Sequence, residues 1–290
     1  MKVFLTGGSG YIGRATIESL RRHGHEVTAL ARSDRAVETV TALGAKAVVG
    51  DLTDLDVLRA GASAADGVIH LGAVNSPEAA TIDLAAAEAM LDGLGGRGPY
   101  VHTGGVWVYG DTDGLIDESA PTNPPAITAW RLDNEARVLA SAAAGSRPIV
   151  VMPGLVYGRS NGLIEASFVE PARTAGAVRV IGDGANHTTL VHVDDIADLY
   201  VLALEAPAGA VYLGVAQNLR FADLAPALAQ AAGHAGKRVD QISLEQALEQ
   251  MGPVADAYAL DQQISGDRAR RELGWNPAHL DAAADLAAGR

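Results

Sequence analysis

The sequence predicts an α/β fold in which a doubly wound parallel sheet is joined to a smaller, sequence-interleaved C-terminal domain. Two observations predict it. Short apolar runs rich in β-branched residues alternate with segments whose apolar residues recur at helical spacing, as in proteins with parallel sheets. After residue 154 this alternation gives way to pieces punctuated by Gly and Pro, which indicates a second unit.

The first half of the chain carries the strand and helix signals of the sheet. Runs of buried-strand length lie at 3–6, 27–31, 45–49, 67–71, 100–103 and 149–152. The segments 11–23 and 77–94 between them have helical spacing. Strands that alternate with helices are joined by right-handed crossovers, so the sheet is expected to be parallel.

The second half is predicted to interleave with the first. A helix is expected near 163–174, then a turn at Gly182-Asp183-Gly184 and a strand at 189–193. The helix predicted at 194–205 begins at Asp194 or Asp195, which would cap it, and is expected to pack on the first sheet. Residues 1–158 with about 189–215 are therefore assigned to one domain, and about 159–188 with 216–290 to the other.

Composition excludes several classes of protein. The 290 residues include no Cys, which rules out disulfides, thiolate metal sites and cysteine nucleophiles. The net charge of −13 is spread without a basic stripe, so nucleic acid is not an expected partner. Neither a membrane-spanning apolar run nor a charged, cleavable leader is visible, so we expect a cytoplasmic protein with no membrane partner. The His residues show no paired spacing with a carboxylate, and no metal site is expected.

A glycine-rich turn, Thr6-Gly7-Gly8-Ser9-Gly10-Tyr11-Ile12-Gly13, follows the first predicted strand and opens the first helix. Gly7 would permit the tight turn, and Gly10 would let backbone N–H groups approach a pyrophosphate. Gly13 would let the helix pack close to the strand, while Tyr11 and Ile12 begin the helix whose N-terminus faces the anion. This placement between strand and helix predicts a Rossmann-type dinucleotide site.

The end of the second predicted strand indicates which dinucleotide is bound. Ala31 and Arg32 place no carboxylate where the ribose of NAD needs an acceptor, and Arg32, followed by Ser33, suits a 2′-phosphate. Asp34 is the counter-argument, but it lies further into the loop, where it would cap the next helix. NADP(H) is therefore the predicted cofactor.

Later motifs extend this pattern over essentially the whole chain. They are Gly50-Asp51-Leu52, His70-Leu71-Gly72-Ala73, Val108-Tyr109-Gly110, Pro153-Gly154-Leu155-Val156-Tyr157-Gly158, Val191-His192-Val193-Asp194-Asp195 and Ala269-Arg270-Arg271-Glu272-Leu273-Gly274-Trp275-Asn276-Pro277. Together with the glycine-rich turn they resemble the extended short-chain dehydrogenase/reductases. The resemblance implies that Asp51 and Leu52 border the adenine. It also implies that Leu71, Gly72 and Ala73 line the cofactor path, and that the backbone from Pro153 to Val156 approaches the nicotinamide.

The chain departs from that family at the catalytic pair. The family carries Tyr-x-x-x-Lys on the helix after the fifth strand, where Lys lowers the pKa of the phenol. Here the lysines are Lys2, Lys46 and Lys237, all outside this helix. One register places Ile127 and Arg131 at the two positions, and the other places Trp130 and Asn134, so neither register supplies the phenol.

Four residues are the candidates for the missing chemistry. The Ser or Thr of the family falls near Gly105, which leaves Thr103 as the nearest hydroxyl. Tyr109 and Tyr157 follow strand ends, where open parallel sheets bind ligands, and either can replace the phenol, although an aromatic packed under a loop is the alternative for each. Arg131 can hold ribose hydroxyls and keep a positive charge near the nicotinamide, but a guanidinium is a poor proton donor.

Aromatic and His side chains are the candidates for the substrate pocket between the two domains. Trp107 and Trp130 would line an apolar pocket, unless they pack between helix and sheet. His187, in a polar loop that faces the smaller domain, is a candidate substrate contact or proton relay. Tyr258 lies on a further segment assigned to the pocket, so the smaller domain is the predicted substrate domain.

These features predict an NADP(H)-dependent oxidoreductase that reduces a carbonyl, C=C or C=N group of a small, rather apolar substrate by hydride transfer. Two alternatives stay open. The missing Tyr and Lys favour a catalytically silent NADP(H)-binding sensor or regulatory protein. The resemblance also covers cofactor-using epimerases and dehydratases, and it suits a homodimer formed through helices that flank the sheet.

Overall fold

The computed structural model describes residues 1–234, 236 and 239–289. Its strands are β1 (Lys2–Thr6), β2 (Glu26–Ala31), β3 (Lys46–Val49), β4 (Gly67–His70), β5 (Pro99–Thr103), β6 (Leu115–Ile116), β7 (Arg147–Pro153), β8 (Leu155–Tyr157), β9 (Val178–Ile181), β10 (His187–His192), β11 (Val211–Gly214), β12 (Gln217–Arg220), β13 (Val239–Ile242) and β14 (Gln263–Ile264). Its α-helices are α1 (Tyr11–Arg22), α2 (Asp34–Ala42), α3 (Leu55–Ser63), α4 (Ala79–Leu94), α5 (Trp130–Ala140), α6 (Glu170–Ala175), α7 (Val193–Leu202), α8 (Phe221–Ala231), α9 (Leu244–Met251), α10 (Val254–Tyr258), α11 (Asp267–Leu273) and α12 (Ala282–Ala287). Three short 3-10 turns lie at Val106–Tyr109, Ser141–Ala144 and Ala203–Glu205, and a π-helical turn lies at Glu165–Val169. Among the described residues, no helix has both the length and the apolar character needed to cross a membrane.

Seven strands form one parallel sheet in the order β11-β7-β5-β4-β1-β2-β3. The order reverses between β1 and β4, so the loops after these strands diverge and leave a crevice at the carboxyl ends. The predicted doubly wound α/β fold is confirmed. No strand was predicted at β11.

Helices cover both faces of this sheet. Val3 and Leu5 of β1 face one apolar cluster and Phe4 faces another, as the alternation of side chains along a strand requires. In the first cluster α1 packs against α7, and in the second α3 packs against α4. The helix predicted at 194–205 thus does pack on the first sheet.

A smaller unit lies outside the seven-stranded sheet. It contains the three-stranded sheet β12-β10-β8 and the pair β13-β9, around an apolar cluster that includes Phe168 and Leu224. The helix predicted at 163–174 is present as a continuous helical segment from 163 to 175. It contains a π-helical turn at Glu165–Val169, just before Pro171, which has no N–H for the helical ladder. The division into two domains stays a prediction; β8, which falls in the first predicted domain, pairs with β10 in the smaller sheet.

The predicted cap of α7 is wrong in its residue. The N-cap is His192, whose Nδ1 accepts the backbone N–H of Asp194 at 3.2 Å. Asp195 instead accepts the backbone N–H groups of Ala278 and His279 at 2.8 and 3.0 Å, and its carbonyl accepts the indole N–H of Trp275 at 2.8 Å. The Asp195 carboxylate, which the sequence pattern assigned to a helix cap, thus makes long-range hydrogen bonds instead. These bonds hold the C-terminal segment against α7.

Candidate functional site

The glycine-rich turn between β1 and α1 is packed against the loop that follows β4. Gly7 has φ of +71°, and a Cβ there would stand 2.6 Å from the backbone of Leu71. A Cβ at Gly13 would stand 2.0 Å from the carbonyl oxygen of Gly7. Side chains are therefore excluded from both positions, and the turn can approach a ligand only as bare backbone.

The same turn leaves an anion-binding helix end open. Gly10 is the N-cap of α1 and carries no side chain to accept the N–H groups of the first turn. Its own N–H donates to the Gly7 carbonyl at 2.9 Å, which closes the turn. Free N–H groups and the positive end of the helix dipole together suit a phosphate.

A cleft of about 390 Å³ lies at the crevice between the loops after β1 and β4. Its lining is Gly7, Ser9, Gly10, Leu30, Arg32, Gly50, Asp51, Leu52, Thr53, Leu71, Gly72, Ala73 and Val74. Eight residues predicted for the cofactor from sequence thus meet in one cleft: Gly7, Gly10, Arg32, Asp51, Leu52, Leu71, Gly72 and Ala73. The other five lining residues were not assigned to the cofactor from sequence: Ser9, Leu30, Gly50, Thr53 and Val74.

Most polar groups near Arg32 are engaged in hydrogen bonds to neighbouring residues, and the Arg32 guanidinium is exposed. Ser33 caps α2 by accepting the N–H of Ala36 at 3.3 Å, and Asp34 lies in the first turn of that helix. Asp51 accepts the N–H and hydroxyl of Thr53, and these bonds lower its pKa. Arg32 is exposed, which leaves its guanidinium accessible to a ligand.

Other predicted cofactor residues hold the loops around the cleft instead of lining it. The Tyr11 hydroxyl donates to the Gly158 carbonyl at 2.8 Å, and burial raises the pKa of this phenol. Ile12 and Val156 lie in or against the apolar cluster of the sheet, and Pro153 ends β7 half-buried. These residues tie α1 to the segment that follows β7.

Thr103 and Arg131 lie together at the carboxyl end of β5. The Thr103 hydroxyl donates to the His70 carbonyl at 2.7 Å, directly before the Leu71 that lines the cleft. Arg131 Nη1 donates to the Thr103 carbonyl at 3.2 Å, and its guanidinium carbon lies 4.6 Å from the centre of the Trp130 ring. The cation is therefore held beside the strand end that is bonded to the start of the Leu71 loop, although neither Thr103 nor Arg131 lines the cleft.

The two candidate tyrosines occupy different surroundings. Tyr109 is buried in the cluster between β7 and the 3-10 turn that follows β5, and burial raises its pKa to about 12. Tyr157 is fully buried in the core of the smaller unit, where its ring meets His192 edge-on at 5.2 Å. Burial raises the pKa of Tyr157 further still. Of the two tyrosines, Tyr109 is therefore the one that lies near β5 and α5.

Glu135 is a buried acid that was not among the residues predicted from sequence. It is 4% exposed, and a Cβ at Gly104 would stand 2.5 Å from its Oε1. That oxygen has no hydrogen-bond partner among the described residues. Burial raises the pKa of Glu135 to about 7, against the nearby Arg131 charge, which lowers it. Its position one helical turn after Arg131 was the available signal, but the sequence did not show its burial.

Two of the four predicted substrate residues, Trp107 and Tyr258, are in contact. The Trp107 and Tyr258 rings meet edge to face at 5.7 Å, and the Tyr258 hydroxyl lies 2.9 Å from Ser167 Oγ. His187 is bound through its Nδ1 to Asp261 at 2.8 Å, close along the chain to Tyr258. Trp130 stays apart with Arg131, its indole N–H donating to the Ile127 carbonyl at 3.1 Å.

The residues that build the cleft and the end of β5 fall within the part of the chain that a known family covers. A model of the NAD dependent epimerase/dehydratase family matches residues 3–213. The chain belongs to this family. The resemblance to extended short-chain dehydrogenase/reductases is thereby confirmed, while α5, WRLDNEARVLA, contains neither Tyr nor Lys.

Relatives of this epimerase/dehydratase family member span nearly its full length. An uncharacterized protein of Saccharomyces cerevisiae is 34% identical, with 99% of this chain and 98% of the yeast protein covered. The 4-hydroxy-2-methyl-3-oxo-4-farnesyl-3,4-dihydroquinoline-1-oxide ketoreductase of Stigmatella aurantiaca is 29% identical, with 95% and 92% covered. The crystal structure of a dTDP-glucose 4,6-dehydratase from Streptomyces venezuelae, with NAD bound, superposes with a TM-score of 0.82 at 24% identity over 100% of this chain and 95% of that one. That structure shows a shared fold.

Proposed function

We propose that this epimerase/dehydratase family member is an NADP(H)-dependent oxidoreductase that reduces a carbonyl, C=C or C=N group of a small, rather apolar substrate. Its relatives comprise ketoreductases and other reductases together with epimerases. The observation that carries the cofactor preference is Arg32, exposed in the same cleft as the glycine-rich turn. A guanidinium there binds a 2′-phosphate, whereas NAD-specific sites place a carboxylate at the end of the second strand.

The residues present fit a dinucleotide. The bare backbone of Gly7 and the uncapped start of α1 suit the pyrophosphate, and Leu52 and Leu71 supply apolar walls for the adenine and the path beyond it. When bound, the nicotinamide supplies the hydride. Arg131, at the end of β5, would bind the nicotinamide ribose in place of the lysine of the family.

The proton that follows hydride addition is assigned to Glu135. Its pKa of about 7 keeps a large fraction protonated at neutral pH, which suits a general acid. The phenol of Tyr109, with a pKa of about 12, holds its proton more tightly, and Tyr157 is enclosed in the other core. Gly104 leaves no side chain between Glu135 Oε1 and the end of β5.

The aromatic pair Trp107 and Tyr258 is the proposed wall of the substrate pocket. Both rings belong to or pack against the apolar cluster of the smaller unit, and Gln262, which donates to the Val106 and Gly110 carbonyls, holds the Trp107 turn in place. A rigid aromatic wall favours a substrate with an apolar body.

The test measures binding and turnover separately. Fluorescence titrations with NADPH and NADH would be repeated with Arg32→Ala and with Arg35→Ala, a matched control because Arg35 is exposed nearby but does not line the cleft. We expect Arg32→Ala to weaken NADPH binding about 10–100-fold and NADH binding little, and Arg35→Ala to change neither. NADPH consumption with a panel of aldehydes, ketones, enones and imines then tests reduction. Equal affinity for NADH and NADPH would refute the cofactor assignment.

A catalytically silent sensor is the second candidate. It is favoured by the absence of a phenol from α5 and by the Thr103 hydroxyl, which is already bonded to the His70 carbonyl. Tight NADPH binding with no turnover of any panel member would support it. Epimerase and dehydratase chemistry demands more proton transfer than reduction does, and the missing pair weighs against both.

A further inference from the structure

Three buried side chains from separate elements meet beneath the cleft. His70 ends β4, His102 lies in β5 and Asp83 lies in the second turn of α4; they are 1%, 1% and 8% exposed. One ligand-type atom of each lies within 4.8 Å of the others. We define these three residues as the His-Asp-His cluster.

The spacing within this cluster is wider than ordinary hydrogen bonds. His70 Nε2 lies 3.4 Å from Asp83 Oδ1, and His102 Nε2 lies 3.7 Å from Asp83 Oδ2. Protein N–H···O bonds are about 2.7–3.2 Å long. Two ligands held about 2.0–2.1 Å from a tetrahedral ion stand about 3.3–3.4 Å apart, which is close to the spacing found here.

Each member of the cluster is held from its outer side. His70 Nδ1 lies 2.6 Å from the Thr6 hydroxyl, and His102 Nδ1 lies 3.2 Å from the Tyr100 hydroxyl. Asn134 Nδ2 donates to Asp83 Oδ2 at 2.8 Å. Metal-binding His residues are held in this way, with one ring nitrogen bonded to the protein and the other facing the ion.

We propose that His70, Asp83 and His102 bind a divalent transition-metal ion of the zinc class. Two imidazole nitrogens and one carboxylate provide a mixed nitrogen and oxygen donor set, and the absence of sulfur suits Zn²⁺ or Co²⁺ better than Cu⁺. The ion would neutralise the buried Asp83 carboxylate. Because the site is enclosed, the ion is structural.

The ion would brace the floor of the dinucleotide cleft. His70 directly precedes Leu71, and its partner Thr6 directly precedes Gly7 and accepts the Gly72 N–H at 3.0 Å. Joining β4, β5 and α4 at this point fixes the two loops between which the cleft opens. The sequence expectation of no metal site rested on short-range spacing, whereas these ligands come from three elements that only the fold brings together.

A second His-containing cluster serves as an internal contrast. The His192 and His279 rings are stacked at 3.6 Å and 18°, so their nitrogen lone pairs run side by side instead of converging. Arg159 already pairs with Asp194, and His279 Nδ1 pairs with Asp285 at 2.9 Å. A cation there would compete with a guanidinium, and we assign no metal to it.

The test uses the full chain without a histidine tag. After stripping with chelator, the protein is dialysed against Zn²⁺ and its metal content is measured by mass spectrometry; Co²⁺ loading is followed by visible absorption. We expect one ion per chain and the d–d bands of four-coordinate Co²⁺. Asp83→Asn and His102→Gln are expected to lose both signals, whereas His279→Gln in the contrasting cluster keeps them, and Asn134→Ala weakens affinity about 10–100-fold.

Two outcomes would overturn the site. One is a Zn²⁺-loaded wild-type chain with no ion above the dialysis background and no Co²⁺ bands, a result that holds even where the variants fail to fold. The other is metal binding kept in Asp83→Asn and lost in His279→Gln. Neither outcome touches the proposed reductase activity, because NADPH binding and turnover are measured separately.

Discussion

The Arg131 guanidinium donates to the backbone carbonyl of Thr103 at 3.2 Å and so joins α5 to the carboxyl end of β5. A cation is thereby kept beside the carboxyl end of β5, on the helix where the resemblance places a lysine. Arg keeps its charge at any physiological pH and offers a planar set of donors, so it can replace a lysine in binding but not in lowering the pKa of an absent phenol.

Replacing Arg131 is expected to damage cofactor use more than folding. Arg131→Ala should lower kcat/KM for NADPH-dependent reduction about 10–100-fold, because a charged donor is lost from the proposed ribose site. Arg131→Lys should recover part of the loss. Steady-state kinetics test this, with Arg137→Ala as control, since Arg137 lies on the same helix but pairs with Glu88 at the surface. Unchanged kinetics in Arg131→Ala would exclude Arg131 from the cofactor site.

Glu135 predicts a pH dependence of stability. Its pKa is about 7 in the folded chain against an ordinary 4.5, so the folded state binds this proton more tightly than the unfolded state does. The resulting stability is fully present below pH 4.5 and is lost as pH rises through about 7, on the order of 3 kcal/mol in total. Denaturant unfolding at pH values between about 5 and 8 measures it.

Glu135→Gln should remove this dependence of the free energy of unfolding on pH, because the amide cannot ionise. Glu88→Gln is the matched control, since Glu88 is exposed on α4 and should leave the dependence as in wild type. If the free energy of unfolding of Glu135→Gln varied with pH as much as that of the wild type, another group would be responsible for the titration.

The same acid predicts the pH profile of turnover. If Glu135 supplies the proton, kcat/KM should decline above about pH 7 as the carboxyl ionises. Glu135→Gln should lower kcat/KM about 10²–10⁴-fold and abolish this limb, while NADPH affinity is retained. Tyr109→Phe distinguishes the alternative donor: a loss in this variant with little change in Glu135→Gln would move the assignment to the phenol.

Sequence reasoning reached the dinucleotide cleft because its parts are local. The turn around Gly7 and the end of β2 at Arg32 can each be recognised from a few consecutive residues. The parallel sheet then brings the two segments together in one cleft. It did not reach Glu135 or the His-Asp-His cluster, since these depend on which side chains become buried against distant elements.

Similar local patterns also acquired different surroundings. Tyr109 and Tyr157 stand in the same Val-Tyr-Gly pattern, yet one ends beside β5 and the other in the core of the smaller unit. Pro171 and Asp195 are two further features that periodicity does not predict. The π-helical turn lies just before Pro171, and Asp195 makes long-range hydrogen bonds to the C-terminal segment.

Substitution of Gly7 tests whether the glycine-rich turn binds the dinucleotide, because it changes only the backbone geometry of that turn. In Gly7→Ala the new Cβ would meet the Leu71 backbone at 2.6 Å and the residue would keep φ of +71°, so the turn must move away from the loop after β4. We expect NADPH affinity to fall more than about tenfold, because the N–H groups that face the pyrophosphate move with the turn. Gly145→Ala is the control: its φ of +90° imposes the same left-handed strain, but a Cβ there meets nothing within 4 Å. It should cost about 1–2 kcal/mol in stability and leave affinity unchanged. Titration and thermal unfolding of both variants separate the two effects, and normal NADPH binding by folded Gly7→Ala would show that the dinucleotide does not rest on this turn.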